Sequence, residues 1–94
     1  MEPSLAHTRS VEITNEAGLH ARPCHALVSA ALVFESGLRV RHGSREVNGK
    51  SILELMTLGA AQGAVLELSA DGPDAEDLLV RVVGLVESGF DEGA

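Results

Sequence analysis

Hydrophobic and polar residues change their spacing several times along this chain, and each change marks an element. Residues Thr8 to Thr14 alternate, with Val11 and Ile13 on one face and Ser10, Glu12 and Thr14 on the other. That is the period of a strand with one wet side. Asn15-Glu16-Ala17-Gly18 reads as the loop that follows. From Pro23 the pattern turns helical, because Leu27, Ala30, Ala31 and Phe34 recur at spacings of three and four. Proline suits the first helical position, where its missing N–H costs nothing, and Gly37 is a fitting stop.

Leu38 to His42 alternate again, Gly43-Ser44 makes a tight turn, and Arg45 to Asn48 completes a predicted β-hairpin. Ser51-Ile52-Leu53-Glu54 has the capping-box spacing and opens a short second helix, whose exit Gly59 and Gly63 bracket. Val65 to Ala70 forms the fourth strand, with Leu66, Leu68 and Ala70 on the core side. Asp71-Gly72-Pro73 turns the chain into a last helix, with Asp74, Glu76 and Asp77 in its first turn. Leu78, Leu79, Val82, Val83, Leu85 and Val86 give that helix a broad apolar face, and Asp91 to Ala94 are expected to fray.

The order is β-α-β-β-α-β-α. One apolar face per strand requires every helix to cover the same side of an antiparallel sheet. The expected fold is therefore α+β, a two-layer open-faced sandwich of four strands and three helices, as a single domain over residues 1–94.

Composition narrows the function. Phe34 and Phe90 are the only aromatic residues and the formal charge is −7, which argues against nucleic acid. Cys24 is the only cysteine, so an internal disulfide is excluded and a reducing cytoplasm is expected. The start, MEPSLAHTRS, lacks the basic and apolar regions of a secretory signal, and the longest apolar run is too short to span a bilayer. Arg39, Arg41, Arg45 and Lys50 fall in one central stretch, whereas Arg81 is the one basic residue from Glu67 onward against eight acids. Solvated faces or a polarised surface that orients partners are both open for these charges.

The candidate chemistry lies in Gly18-Leu19-His20-Ala21-Arg22-Pro23. A helix start offers unpaired N–H groups and about half a positive charge, a ready seat for an anion. His20 stands just before that start, and Arg22 adds a guanidinium that presents several donors to a phosphoryl group. The positive helix end disfavours a protonated ring, which suits a histidine that accepts and surrenders phosphorus. Pro23 and Cys24 are assigned to the phosphate-binding helix end. For Cys24 two accounts stand open: a small packing residue, or a thiol activated in the first turn. His25, five residues after His20, has a spacing poorly suited to joint metal ligation, and His7 and His42 lack a local ligand partner. No metal and no cofactor are expected.

GLHARP before an amphipathic helix, then NGKSILELMTLGA before a strand ending in SADG, resembles the HPr family of the bacterial phosphoenolpyruvate-dependent phosphotransferase system. The resemblance runs from about Val11 to Val86, while Cys24 and His25 depart from the small residues usual there and the first ten residues run slightly long. It implies a stoichiometric phosphoryl carrier rather than an enzyme, a monomer without membrane insertion. Enzyme I would phosphorylate His20 on Nδ1, and the group would pass to a histidine of an enzyme IIA domain. The resemblance further implies that Arg22 helps hold the phosphoryl group and that Ile52, Leu53 and Met56 form part of an apolar docking patch. Ser51 would be the target of a regulatory serine kinase/phosphorylase. Its physics is coherent, since phosphorylation adds roughly −1.5 to −2 charges beside that patch. The alternative is a regulatory binding module of the same fold switched at Ser51, although such a module has no need of His20 with Arg22. A hydrolase or metal enzyme lacks a second acid–base residue placed for it. Sugar uptake and a nitrogen- or carbon-signalling branch are both left open.

Overall fold

The computed structural model describes residues 7–91. In order, the elements are β1 (His7–Glu12), α1 (Ala21–Ala31), β2 (Gly37–His42), β3 (Arg45–Asn48), α2 (Ile52–Met56), β4 (Val65–Asp71) and α3 (Ala75–Glu87), closed by a 3-10 turn at Gly89–Asp91. The strands lie in the order β1-β4-β2-β3, each neighbouring pair antiparallel. Register places Val11 opposite Leu66, and Val40 opposite both Leu68 and Val47. All five are buried, so the period-two pattern builds one apolar sheet face. The helices cover that face with Leu27, Val28, Leu55, Leu78, Leu79, Val82 and Val86. No helix among the described residues is long and apolar enough to cross a membrane.

The other face of the sheet is open to solvent. Arg39 and Arg41 project there and pair with Glu46 and Glu67 respectively. Arg9 instead sits on the helix side at the rim, where it and His7 meet Glu76 of α3. The central basic stretch is therefore divided: its first two arginines lie on the open face, whereas Arg45 turns toward the end of α2 and Lys50 toward the exit of α1. Arg45 donates to Thr57 Oγ1 and the Lys50 ammonium donates to the Phe34 carbonyl at 2.7 Å.

Several boundaries differ from the sequence expectation. The first helix begins two residues before Pro23 and ends at Ala31, so Gly37 opens β2 rather than stopping α1. Strand β1 ends at Glu12, after which Ile13 exchanges backbone hydrogen bonds with Gly63 and Ala64. Asp74 is the N-cap of α3 rather than a first-turn residue, and its carboxylate reaches back across the molecule. It accepts from the Ser36 hydroxyl at 2.6 Å, from the Ser36 N–H at 2.9 Å and from the Glu35 N–H at 3.0 Å. The Ser36 hydroxyl, then the Glu35 N–H, hold its carboxyl below the usual carboxylate range. Asp91 belongs to the closing 3-10 turn, and the rest of the segment expected to fray, 92–94, lies outside the described residues.

Candidate functional site

The site is assembled from backbone before any side chain contributes. Gly18 takes φ +72°, and a Cβ there would stand 2.6 Å from the Ala60 carbonyl oxygen. Only glycine lets the loop approach that closely. The next residue, Leu19, is buried and donates its N–H to the same carbonyl at 2.9 Å. Asn15 fixes the loop from within: its side-chain amide donates to the Gly18 carbonyl at 2.8 Å, and its own carbonyl accepts from the Gly18 N–H at 3.1 Å. Gln62 adds a hydrogen bond to the Thr14 carbonyl, and Gly89 of the closing turn packs beside Thr14 and Asn15. Sequence reading treated Asn15 as ordinary loop. Its signal was an asparagine three residues before a glycine, a pairing that favours a side-chain-closed turn.

This clamp delivers His20 to the N-cap of α1, in extended conformation (φ −126°) and half-buried. Its carbonyl accepts the first helical hydrogen bond, from the Cys24 N–H at 3.0 Å. Ala21 and Arg22 are thus the first two helical residues and Pro23 the third. Proline costs no hydrogen bond at the third position either, because none of the first N–H groups has an intrahelical acceptor. The amides left over at this end are those of Ala21 and Arg22. No acidic residue occupies the first turn, so the positive helix end is not neutralised locally. Arg22 is exposed beside it.

Pro23 and Cys24 thus stand differently from their assignment to the phosphate-binding end. Pro23 has no N–H and is buried, and the Cys24 amide is committed to His20. The Cys24 side chain is 0% exposed, and burial raises its thiol to about 11. Desolvation outweighs any help from the helix end, so the packing account of Cys24 holds and the activated-thiol account fails.

Ser51 caps α2, its hydroxyl accepting from the Glu54 N–H at 3.2 Å. The reciprocal half of the box is absent, because the Ser51 N–H already goes to the Asn48 carbonyl. Glu54 binds the Asn48 N–H instead, at 2.9 Å. Past the cap, Leu53 is 79% exposed and Met56 is exposed too, whereas Ile52 is partly tucked against the core. The Lys50–Phe34 bond brings the start of α2 beside the exit of α1, and the two helices pack against each other. His42 Nδ1 lies 3.3 Å from the Leu58 carbonyl, and His25 is exposed on α1. Among the described residues no cluster of His, Cys, Asp and Glu gathers as a metal site.

A family model for the PTS HPr component phosphorylation site matches residues 7–88. The chain is 41% identical over 85 residues to the phosphocarrier protein HPr of Neisseria meningitidis serogroup B, across 90% of this chain and 96% of that protein. It is 38% identical over 85 residues to the phosphocarrier protein NPr of Escherichia coli, across 89% of this chain and 94% of that one. Among solved structures, HPr-C-His from Thermoanaerobacter tengcongensis matches with a TM-score of 0.89 at 42% identity, covering 94% of this chain and 99% of that one.

Proposed function

Because this chain belongs to the HPr family of phosphotransferase-system phosphocarriers, we propose that His20 receives a phosphoryl group from phospho-enzyme I and passes it to a histidine of an enzyme IIA domain. The observation that carries this reading is the placement of His20 as N-cap of α1, partly open to solvent, with Arg22 exposed two residues on. The lone pair on Nδ1 of the neutral ring attacks phosphorus while the donor's phosphorus–nitrogen bond breaks and its electron pair stays on the donor ring. The second transfer is the same exchange with His20 as leaving group. The incoming charge meets the Ala21 and Arg22 amides and the Arg22 guanidinium, which together favour an anion at this helix end.

The protein thus acts as one cytoplasmic domain used stoichiometrically, with turnover supplied by its partners. Incubation with phosphoenolpyruvate and enzyme I should give an acid-labile phosphate mapping to His20 and absent from His20→Ala. Stable phosphate elsewhere, or none, would refute the reading. Ser51 supports a regulatory use of the same surface: its hydroxyl stands at the α2 cap, two residues from the highly exposed Leu53. A phosphate there would add roughly −1.5 to −2 charges to the rim of the docking patch. A serine kinase that modifies Ser51 and thereby slows relay through His20 is the outcome expected.

A further inference from the structure

A helix that only has to end needs one residue in the left-handed region, and glycine ordinarily supplies it. Gly89 does so after α3, at φ +71°. The chain then stays left-handed through Phe90 at φ +59° and Asp91 at φ +61°. Among the described residues these are the only positions other than glycine with positive φ. L side chains crowd the backbone in that region, so the conformation persists only where its surroundings over-determine it. Asp91 is exposed. Phe90 is 5% exposed and belongs to the hydrophobic core, one of only two aromatic rings in the chain. Burial of that ring is what holds the turn.

The turn is packed against the loop below His20. It contacts α1, and a Cβ on Gly89 would stand 3.6 Å from Thr14 Oγ1 and 3.8 Å from Asn15 Cβ. The Thr14 hydroxyl donates to the Val86 carbonyl of α3 at 3.5 Å, and Gln62 donates to the Thr14 carbonyl at 3.0 Å. Thr14 is thus tied both to the last helix and to the lead-in to β4. Asn15, the next residue, makes the 2.8 Å bond to the Gly18 carbonyl that closes the loop. Resting on the carrier role argued above, we propose that Phe90 is a positioning residue for His20: its buried ring keeps the turn against Thr14 and Asn15, and thereby holds the imidazole where phosphorus can reach it. At 5% exposure the ring is out of reach of a docked protein, so its loss should slow transfer at saturation and spare docking.

The test compares Phe90→Ala and the milder Phe90→Leu with Leu78→Ala. Leu78 is as deeply buried in the same helix, but α3 runs on to Glu87, about 14 Å further along its axis. Each intact variant is studied at a temperature where its circular dichroism matches wild type. In single-turnover transfer from phospho-enzyme I, Phe90→Ala should lower the rate at saturation by about tenfold or more, while half-saturation moves by less than about twofold. Leu78→Ala should keep the wild-type rate, and Phe90→Leu should fall between. In the free protein, hydrogen exchange at the Gly18 and Leu19 amides should quicken about tenfold or more relative to the sheet amides in Phe90→Ala, but only in step with them in Leu78→Ala. Unchanged rate and exchange in folded Phe90→Ala, or equal effects in Leu78→Ala, would overturn the inference. If Phe90→Ala does not fold, wild-type rate and exchange in Phe90→Leu would overturn it instead. Absence of phosphate on His20 in wild type would strike down the carrier role, and the exchange rates would still decide whether Phe90 holds the loop.

Discussion

Gly18→Ala perturbs a residue whose close approach to Ala60 supports both the loop and the position of His20. Two costs add. Gly18 has φ +72°, a left-handed conformation that costs an L-residue about 1–2 kcal/mol. The new methyl would also start 2.6 Å from the Ala60 carbonyl oxygen and 2.9 Å from the Ala61 Cα, both backbone atoms that cannot rotate away. Relieving such an overlap typically costs a further 1–3 kcal/mol or so. Gly43 separates the terms: its φ of +64° is nearly the same, but nothing lies within 4 Å of a Cβ there. Gly43→Ala should therefore lose about 1–2 kcal/mol, and Gly18→Ala about 2–5 kcal/mol. At roughly 4–8 °C per kcal/mol for a domain of this size, thermal melts by calorimetry resolve the two easily. Gly18→Ala must also push the Leu19–Ala60 hydrogen bond out of register and displace His20, and a 1 Å misplacement of a reacting group can cost about a hundredfold in rate. Equal melting temperatures for the two variants would refute the close approach, and normal phosphorylation of folded Gly18→Ala would refute its link to His20.

Other outcomes follow from single contacts. The folded state holds the Asp74 carboxyl below its ordinary value, so its contribution is complete above about pH 4 and is lost as pH falls through the folded value. The stability difference between wild type and Asp74→Ala should be constant near neutrality and shrink on acidification, and a difference that grows in acid would contradict the assignment. Cys24, buried and raised to about 11, should alkylate with iodoacetamide at about pH 8 at least ~100-fold more slowly than free cysteine, until the protein is unfolded. Matching rates in folded and unfolded protein would show an exposed thiol. Ser51→Ala removes the hydroxyl that accepts from the Glu54 N–H and should cost about 1 kcal/mol in urea unfolding. No measurable loss would show that the cap contributes nothing.

Much of this was legible in the chain because alternation and helical spacing are physical periods, and Val11, Leu38, Val40, Leu66 and Leu68 are buried where alternation puts them. The misplaced start of α1 has a specific cause. Proline is cost-free anywhere before the first helical hydrogen bond, so Pro23 marks the first turn rather than its first residue. The Cys24 outcome was present in the spacing: Cys24, Leu27, Val28 and Ala31 lie at i, i+3, i+4 and i+7, the buried stripe, and side of helix outweighs nearness to its end. Glu54 left the capping box because the Ser51 N–H had another acceptor three residues back. The backbone part of the support beneath His20 leaves no mark in the sequence. It joins Leu19 to Ala60 by backbone atoms far apart in sequence, and no side-chain pattern records such a contact.

On the proposed relay His20 serves two partners in turn. A group that must react with one protein and then another cannot be positioned by contacts with either, so its geometry has to come from beneath. Asn15 and Leu19 supply it from positions 5% and 7% exposed, out of reach of a docked protein. The exposed α1 residues His25 and Ser29, by contrast, would on the proposed relay be touched by whichever partner is bound. Changes below His20 should therefore slow the incoming and outgoing transfers by the same factor, whereas changes on the exposed side of α1 should alter their ratio. Asn15→Ala, which removes the 2.8 Å bond to the Gly18 carbonyl, and Ser29→Lys form the decisive pair. Single-turnover rates from phospho-enzyme I to His20, and from phosphorylated His20 to an enzyme IIA domain, measure both factors on one preparation. If Asn15→Ala slowed one transfer tenfold and spared the other, the site would be shaped by its partners and not by the loop that carries it.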